Sequence, residues 1–159
     1  MTMNIAPFPV RLRPADRTAL LEHFLALGGE DRRLRFGSPI GDAAVREYVE
    51  HIDFADDCLF AVQDDRLRIV AAVHVARTGA SAELGLSVLP GYRGAHLGSA
   101  LFTRAVMHLR NRGIGTVHVH CLAENATMVH IARKNGMHFS SSGSQSDGRL
   151  ELAPAGIPA

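Results

Sequence analysis

The chain has 159 residues, 47% of them hydrophobic and 21% charged, with a formal net charge of +1. That is enough for one domain with a proper core, and so small a charge gives no bulk drive toward nucleic acid or a membrane surface. No run approaches the roughly 20 apolar residues of a membrane helix, and the start, MTMNIAPFPVRLRP, has the form of neither a signal peptide nor an anchor. The two cysteines, Cys58 and Cys121, lie far apart without a CxxC pair, which fits a reducing cytoplasm.

Pro9 to Leu12 reads as a short first strand. Pro14 then opens a helix, because its fixed φ suits a first turn and Asp16 lies near the positive end. Leu20, Leu21, Phe24, Leu25 and Leu27 form its apolar stripe, and Gly28-Gly29 stops it. Asp31 to Phe36 reads as a short helical piece, broken by Ser38-Pro39-Ile40-Gly41. Asp42 caps the next helix, which runs to about Ile52 with Val45, Tyr48, Val49 and Ile52 on one face. Cys58 to Val62, Leu67 to Ala76 and Ala82 to Val88 are strand-like and separated by tight polar turns, which predicts an antiparallel meander. A helix runs from about Gly98 to Asn111, with Leu97, Leu101, Phe102, Ala105, Val106 and Leu109 toward the core. Thr116 to Cys121 is a strand, Glu124 to Asn135 a helix and Met137 to Ser141 a strand. Ser140 to Gly148 reads as a polar loop, Arg149 to Leu152 as a last strand, and residues 153–159 as a frayed tail. The order β-α-α-β-β-β-α-β-α-β-β describes one α/β (α+β) domain over residues 1–159, with no internal linker or repeat.

The segment LSVLPGYRGAHLGSALFTRAV, Leu86 to Val106, joins a strand to a helix through a glycine-rich turn. Free N–H groups and a partial positive charge at a helix N-terminus attract anions, and glycines let the backbone approach them. The segment equally reads as an ordinary strand-to-helix loop. Leu97-Gly98-Ser99 has no lysine, so it is not a Walker loop. The glycines at 91, 94 and 98 follow a meander strand, so it is not a dinucleotide fingerprint either.

Strand, VLPGYRGAHLGSAL, helix, strand and NATMVHIARKNGM together resemble the GNAT superfamily of N-acetyltransferases, and loosely the bacterial protein-lysine acetyltransferase domains within it. The family pattern Gln/Arg-x-x-Gly-x-Gly/Ala falls on Arg93, His96 and Gly98, with His96 where glycine is usual. Asn125 and Lys134-Asn135-Gly136-Met137 continue the likeness, which covers essentially the whole chain. The resemblance implies a mixed, mostly antiparallel central sheet flanked by helices, with two central strands splayed apart. It implies acetyl-CoA as cosubstrate. The pyrophosphate would rest on the turn formed by Arg93, Gly94, Ala95, His96, Leu97, Gly98, Ser99 and Ala100. The pantetheine arm would pair with the strand edge at Leu86, Ser87 and Val88, and Asn125 would offer its amide to that arm. His96 would either point outward or add a hydrogen bond to phosphate.

Acetyl transfer needs a free amine lone pair, and an alkyl amine with a pKa of about 10.4 is mostly protonated near neutrality. A base must take that proton. Glu83 lies in the apolar segment Ala82-Glu83-Leu84-Gly85-Leu86, sharing a strand face with Gly85 and Ser87. A carboxylate in partial burial binds a proton more tightly and makes a better base; alone Glu83 reads as an exposed or ion-paired residue, and the resemblance implies a general base, since many members carry a glutamate on this strand. The resemblance also makes the Val88 N–H a candidate for polarising the thioester. Many members place a tyrosine acid where this chain has Ala132, and neither Tyr48 nor Tyr92 fills that position. The thiolate would then leave unprotonated, or another group would serve.

The expected activity is N-acetylation of a primary amine on a small molecule, a protein lysine or a protein N-terminus. The alternatives are an acyl-CoA-binding regulatory module with decayed catalysis, and a GNAT-like shape whose cofactor turn is blocked by His96. Acceptor selection is expected in Ala15–Ile52 and Ser140–Gly148. His118 and His120 share a strand face without a completing cysteine or carboxylate, so no metal is expected. Cys121 reads as a buried structural cysteine rather than an acetyl carrier. Arg32, Arg33 and Arg35 read as a solvated basic face, with an acidic acceptor or the CoA 3′-phosphate as the other readings. An edge strand near the C-terminus offers a route to a homodimer.

Overall fold

The computed structural model describes residues 8–94 and 96–153. The expected frayed tail, apart from Ala153, and Ala95 of the phosphate turn lie outside the described residues. The strands are β1 (Val10–Arg11), β2 (Cys58–Gln63), β3 (Ile69–Thr78), β4 (Ser81–Val88), β5 (Thr116–Leu122), β6 (His138–Ser142) and β7 (Gln145–Glu151). The helices are α1 (Arg17–Leu25), α2 (Gly29–Phe36), α3 (Asp42–Glu50), α4 (Leu97–Asn111) and α5 (Ala126–Lys134). Among the described residues the strands form one sheet in the order β1-β2-β3-β4-β5-β7-β6. Every neighbouring pair is antiparallel except β4 and β5, which run parallel.

Strand alternation divides the apolar side chains between two layers. Phe60, Val62, Val73 and Val75 face α4 and α5, packing with Leu101, Phe102, Ala105 and Leu109. Leu59, Ala61 and Ala72 face the other way, onto Leu20, Phe24, Val45 and Val49 of α1 and α3. β2 and β3 are therefore apolar on both sides, as strands covered by helices on both faces must be.

Three expectations change. Ser140–Gly148 is not a loop: β6 and β7 form a tight hairpin turning at Gly143-Ser144, and the register runs from Ser142 opposite Gln145 to His138 opposite Arg149. Serine, glycine and aspartate are poor strand formers, which hid the hairpin, but Ser146 and Gly148 are buried in it. A Cβ on Gly148 would lie 2.5 Å from Met137 Sδ, so only glycine lets the hairpin close on its core. Asp42 is not the cap of α3; Gly41 holds that position and the Asp42 carboxylate instead pairs with Arg32 at 2.9 Å. The arginine cluster is not a uniformly solvated face. Arg32 is buried and donates to the carbonyls of Leu25, Leu27 and Ile40, holding together the chain ends around α2.

Candidate active site

β4 and β5 pair only at Ser81–Thr116, Ala82–Val117 and Glu83–His118, and then diverge. On the other side of β4, Leu89 N–H donates to Val70 O at 2.9 Å. Antiparallel pairing alternates along the strand, so the amides of Leu86 and Val88 point away from β3, into the gap. Pro90 then ends the ladder, having no N–H to offer, and its short helical turn, Pro90–Tyr92, leads toward α4.

The gap widens into a cleft of about 440 Å³. Leu86, Ser87 and Val88 line its β4 wall. Arg93, Gly94, His96, Leu97, Gly98 and Ser99 line its end, while Ala100 does not reach it. Among the described residues no side chain caps the N-terminus of α4, which leaves the first-turn N–H groups open toward the cleft. His96 is the residue before that turn and is held at φ 60°, ψ 21°, in the left-handed region. That conformation explains why glycine is usual there; the imidazole is exposed and the backbone still turns into the helix. Gly98 serves a different need: a Cβ there would come within 3.0 Å of Ile131 and 3.2 Å of Leu86. Its bare backbone lets α4, α5 and β4 meet at the cleft floor.

The α5 wall is formed by Asn125, Thr127, Met128, His130, Ile131 and Lys134. Positions 127, 130, 131 and 134 follow helical spacing, a signal that could have assigned His130 and Lys134 to the site from sequence. Asn125 caps α5, its Oδ1 accepting from Met128 N–H at 3.2 Å, and its Nδ2 lies 3.5 Å from Leu34 O on α2. α2 bridges the cleft. Asp31 pairs with Arg93 on the β4 side, and Arg33 pairs with Glu124 on the β5 side. The Arg93 guanidinium is thus tied to α2 rather than standing free above the turn.

The face of β4 that carries Glu83, Gly85 and Ser87 looks toward α1, α2 and α3. Ser87 is buried, and its hydroxyl lies 2.7 Å from His23 Nε2. His23 Nδ1 donates to Ile69 O at 3.0 Å, so Nε2 is the acceptor and Ser87 donates. Burial brings the His23 pKa down to about 4, which keeps the ring neutral. Glu83 is exposed at the last paired rung of β4 and β5, outside the cleft lining. Over Gly85 lies the Arg35 guanidinium, so close that a Cβ on Gly85 would meet its Cζ at 2.5 Å.

Arg35 reveals a cluster that sequence reasoning missed. Its Cζ lies 4.7 Å from the ring centroid of Phe36, 5.5 Å from Tyr48 and 5.7 Å from Phe24. Its Nη2 donates to Tyr48 Oη at 2.8 Å; Tyr48 Oη meets His74 Nδ1, and His74 Nε2 donates to Asp57 Oδ2 at 2.9 Å. Burial holds the His74 pKa below its ordinary value against the raising pull of Asp57, and pushes the Tyr48 pKa up. A neutral His74 that donates to a carboxylate through Nε2 must accept at Nδ1, so Tyr48 donates to it. These residues sit on α2, α3, β3 and the segment before β2, and only the register brings them together.

The remaining sequence candidates lie elsewhere. His118 and His120 stack at 6.0 Å, and His120 pairs with Asp147 at 2.6 Å. Cys121 is buried, and desolvation, with Asp147 adding to it, raises its thiol pKa and makes it a poor nucleophile. Ala132 is fully buried in the α4–α5 layer.

Residues 25–137 match the Acetyltransferase (GNAT) family, and the chain belongs to that family and is an acyltransferase. Comparison with curated proteins finds no match. Among solved structures, the GNAT domain of S. lividans PAT superposes with a TM-score of 0.77 at 21% identity, covering 91% of this chain and 89% of that one. The spermidine N-acetyltransferase of Vibrio cholerae, solved with CoA and spermine, gives 0.68 at 19% identity over 91% of this chain and 93% of that one. The ribosomal-protein-S18-alanine N-acetyltransferase of Escherichia coli gives 0.67 at 16%, over 95% and 98%. These likenesses bear out the expected fold: a mixed, mostly antiparallel sheet with two splayed central strands.

Proposed function

We propose that this protein is an acetyl-CoA-dependent N-acetyltransferase that acts on a primary amine, carried out by a single domain. The observation that carries the reading is the continuity of one cleft. It runs from the inward amides of Leu86 and Val88 to the uncapped N-terminus of α4. Those groups fit a cosubstrate with a peptide-like arm and a pyrophosphate. The Leu86 amide and the Val88 carbonyl, both turned into the gap, hold the arm as an added strand would be held. The first-turn N–H groups of Leu97, Gly98 and Ser99 receive the phosphates, with Lys134 and His130 across the cleft.

Bound there, acetyl-CoA supplies an activated acyl thioester. Glu83, at the point where the strands part, takes the ammonium proton so that the amine presents its lone pair. Its exposure leaves the carboxylate open to an incoming acceptor and to water. The Val88 N–H, directed into the gap, is placed to stabilise negative charge on the thioester oxygen. Ala132 supplies no acid, and a thiol with a pKa of about 8.5 leaves without one.

The test is release of free CoA from acetyl-CoA in the presence of a panel of primary amines. Turnover of one acceptor supports the reading. Acetyl-CoA binding with no turnover on any amine would contradict it and favour the second reading, an acyl-CoA-binding regulatory module. Glu83 outside the cleft lining and the buried Ala132 are the observations that favour that module.

A further inference from the structure

The acceptor face of the site contains a positive charge with no ion-pair partner among the described residues. Arg35 lines the cleft, lies flat on Gly85 and is boxed by aromatic rings. Among the described residues no carboxylate lies within ion-pair distance of it, whereas Arg32, Arg33 and Arg93 each have one. Its Nε is buried without a hydrogen-bond partner among the described residues. A guanidinium partly withdrawn from water without a counter-charge is costly, and such a cost is retained where a ligand supplies that charge.

The rest of the cluster fixes this charge in place. Tyr48 accepts from Nη2, and Tyr48 is itself oriented by neutral His74, which Asp57 anchors. Among the described residues Tyr48 takes up one donor of the guanidinium, while Arg35 itself lines the cleft. Two residues from Gly85, on the same face of β4, stands Glu83, about 7 Å along the backbone. Its charge reaches both Tyr48 and His74. One face of β4 therefore presents a carboxylate for an ammonium and a fixed guanidinium for an anion.

We propose that the acceptor is an amino carboxylate, a small molecule carrying its amine and a carboxylate together, with the carboxylate held by Arg35. A planar fork of N–H donors matches a carboxylate. The same charge repels a polyamine, whose second cation would approach the guanidinium. This proposal rests on the N-acetyltransferase reading with Glu83 on the amine, and adds the class of substrate to it.

The experiment compares L-leucine, L-glutamate and L-lysine, each beside its α-amide, with spermidine as the polycation. Free CoA is measured in the wild type, Arg35→Gln, Gly85→Ala and Tyr48→Phe. The wild type is expected to use at least one free acid with a kcat/KM about 10- to 100-fold above its amide, mostly through KM. Arg35→Gln brings that ratio close to one. Gly85→Ala does the same while keeping the arginine, because the new Cβ displaces the guanidinium. Tyr48→Phe lowers the ratio by a smaller factor, since it removes the group that orients Nη2. The ratio is taken within each protein, so partial unfolding does not mimic it. Equal use of acid and amide by the wild type, or a ratio unchanged in both Arg35→Gln and Gly85→Ala, overturns the proposal and leaves the transferase reading standing. If no amine is turned over, the same acids are titrated calorimetrically into the CoA-saturated protein. Binding that Arg35→Gln abolishes supports the carboxylate site while the transferase reading falls. No binding overturns both.

Discussion

The two halves of the cleft are built from different materials. The half proposed to hold the acyl donor offers mainly backbone: amides of β4 turned into the gap and first-turn amides of α4. The half proposed to meet the acceptor depends on side chains: Arg35 lines the cleft, and Tyr48, His74 and Asp57, drawn from separate elements, stand in a chain behind it. A backbone site needs only a local conformation, so many side chains can occupy it, and even His96 sits at a glycine position without diverting the helix. A side-chain site needs particular residues at particular registers. The donor half should therefore tolerate substitution that preserves backbone course, and the acceptor half should not.

The largest expected effect comes from the point where β4 and β5 part, just outside the cleft lining. Glu83→Gln should lower turnover by about 100-fold or more while acetyl-CoA affinity stays within about twofold, because the residue lies outside the cofactor cleft. Calorimetry beside steady-state kinetics checks this; matched losses in both would break the division. Next, Gly98→Val should weaken acetyl-CoA binding and destabilise the fold by about 1–3 kcal/mol through overpacking, since even a Cβ meets Ile131 at 3.0 Å. Urea unfolding with and without acetyl-CoA measures both.

The division also explains what could be read in the sequence. The donor half was legible because Leu86 to Val106 carries it in one continuous segment. Alternation placed Glu83, Gly85 and Ser87 on one face, and the glycine spacing marked the helix entry. The acceptor half was not legible. Tyr48 reads as an ordinary member of an apolar helix face, and nothing in the spacing of Asp57 and His74 says that β-pairing will bring them together. Arg35 looked like one of three similar arginines, yet one of these closes chain ends, one bridges to Glu124 and only Arg35 enters the cleft. The β6–β7 hairpin was missed for a related reason: its strands are made of residues that favour turns, and tertiary packing overrides that preference.

Acid should destabilise the fold through its buried histidines. Above pH 6.5 His23 is neutral in both folded and unfolded chains. Between 6.5 and about 4 only the unfolded chain takes up the proton, so stability falls as the pH drops, by up to about 1.4 kcal/mol per unit. His74, also held below its ordinary value by burial, adds to the same trend. A urea midpoint that stays flat from pH 7.5 to 5 would contradict this. The smallest effect belongs to the donor half. His96→Gly should relieve the left-handed backbone and add about 1 kcal/mol of stability, raising Tm by about 2–4 °C. Acceptor KM should not change. Thermal unfolding that shows no gain would mean the turn already accommodates the side chain without strain.

The most direct test of the account is calorimetric titration of the purified protein with acetyl-CoA, beside desulfo-CoA and ATP. The backbone cradle predicts micromolar binding of acetyl-CoA, retained in large part by desulfo-CoA, and little binding of ATP, which has no pantetheine arm for Leu86 and Val88. Absence of acetyl-CoA binding, or equal binding of ATP, would contradict the assignment of this cleft to the acyl donor.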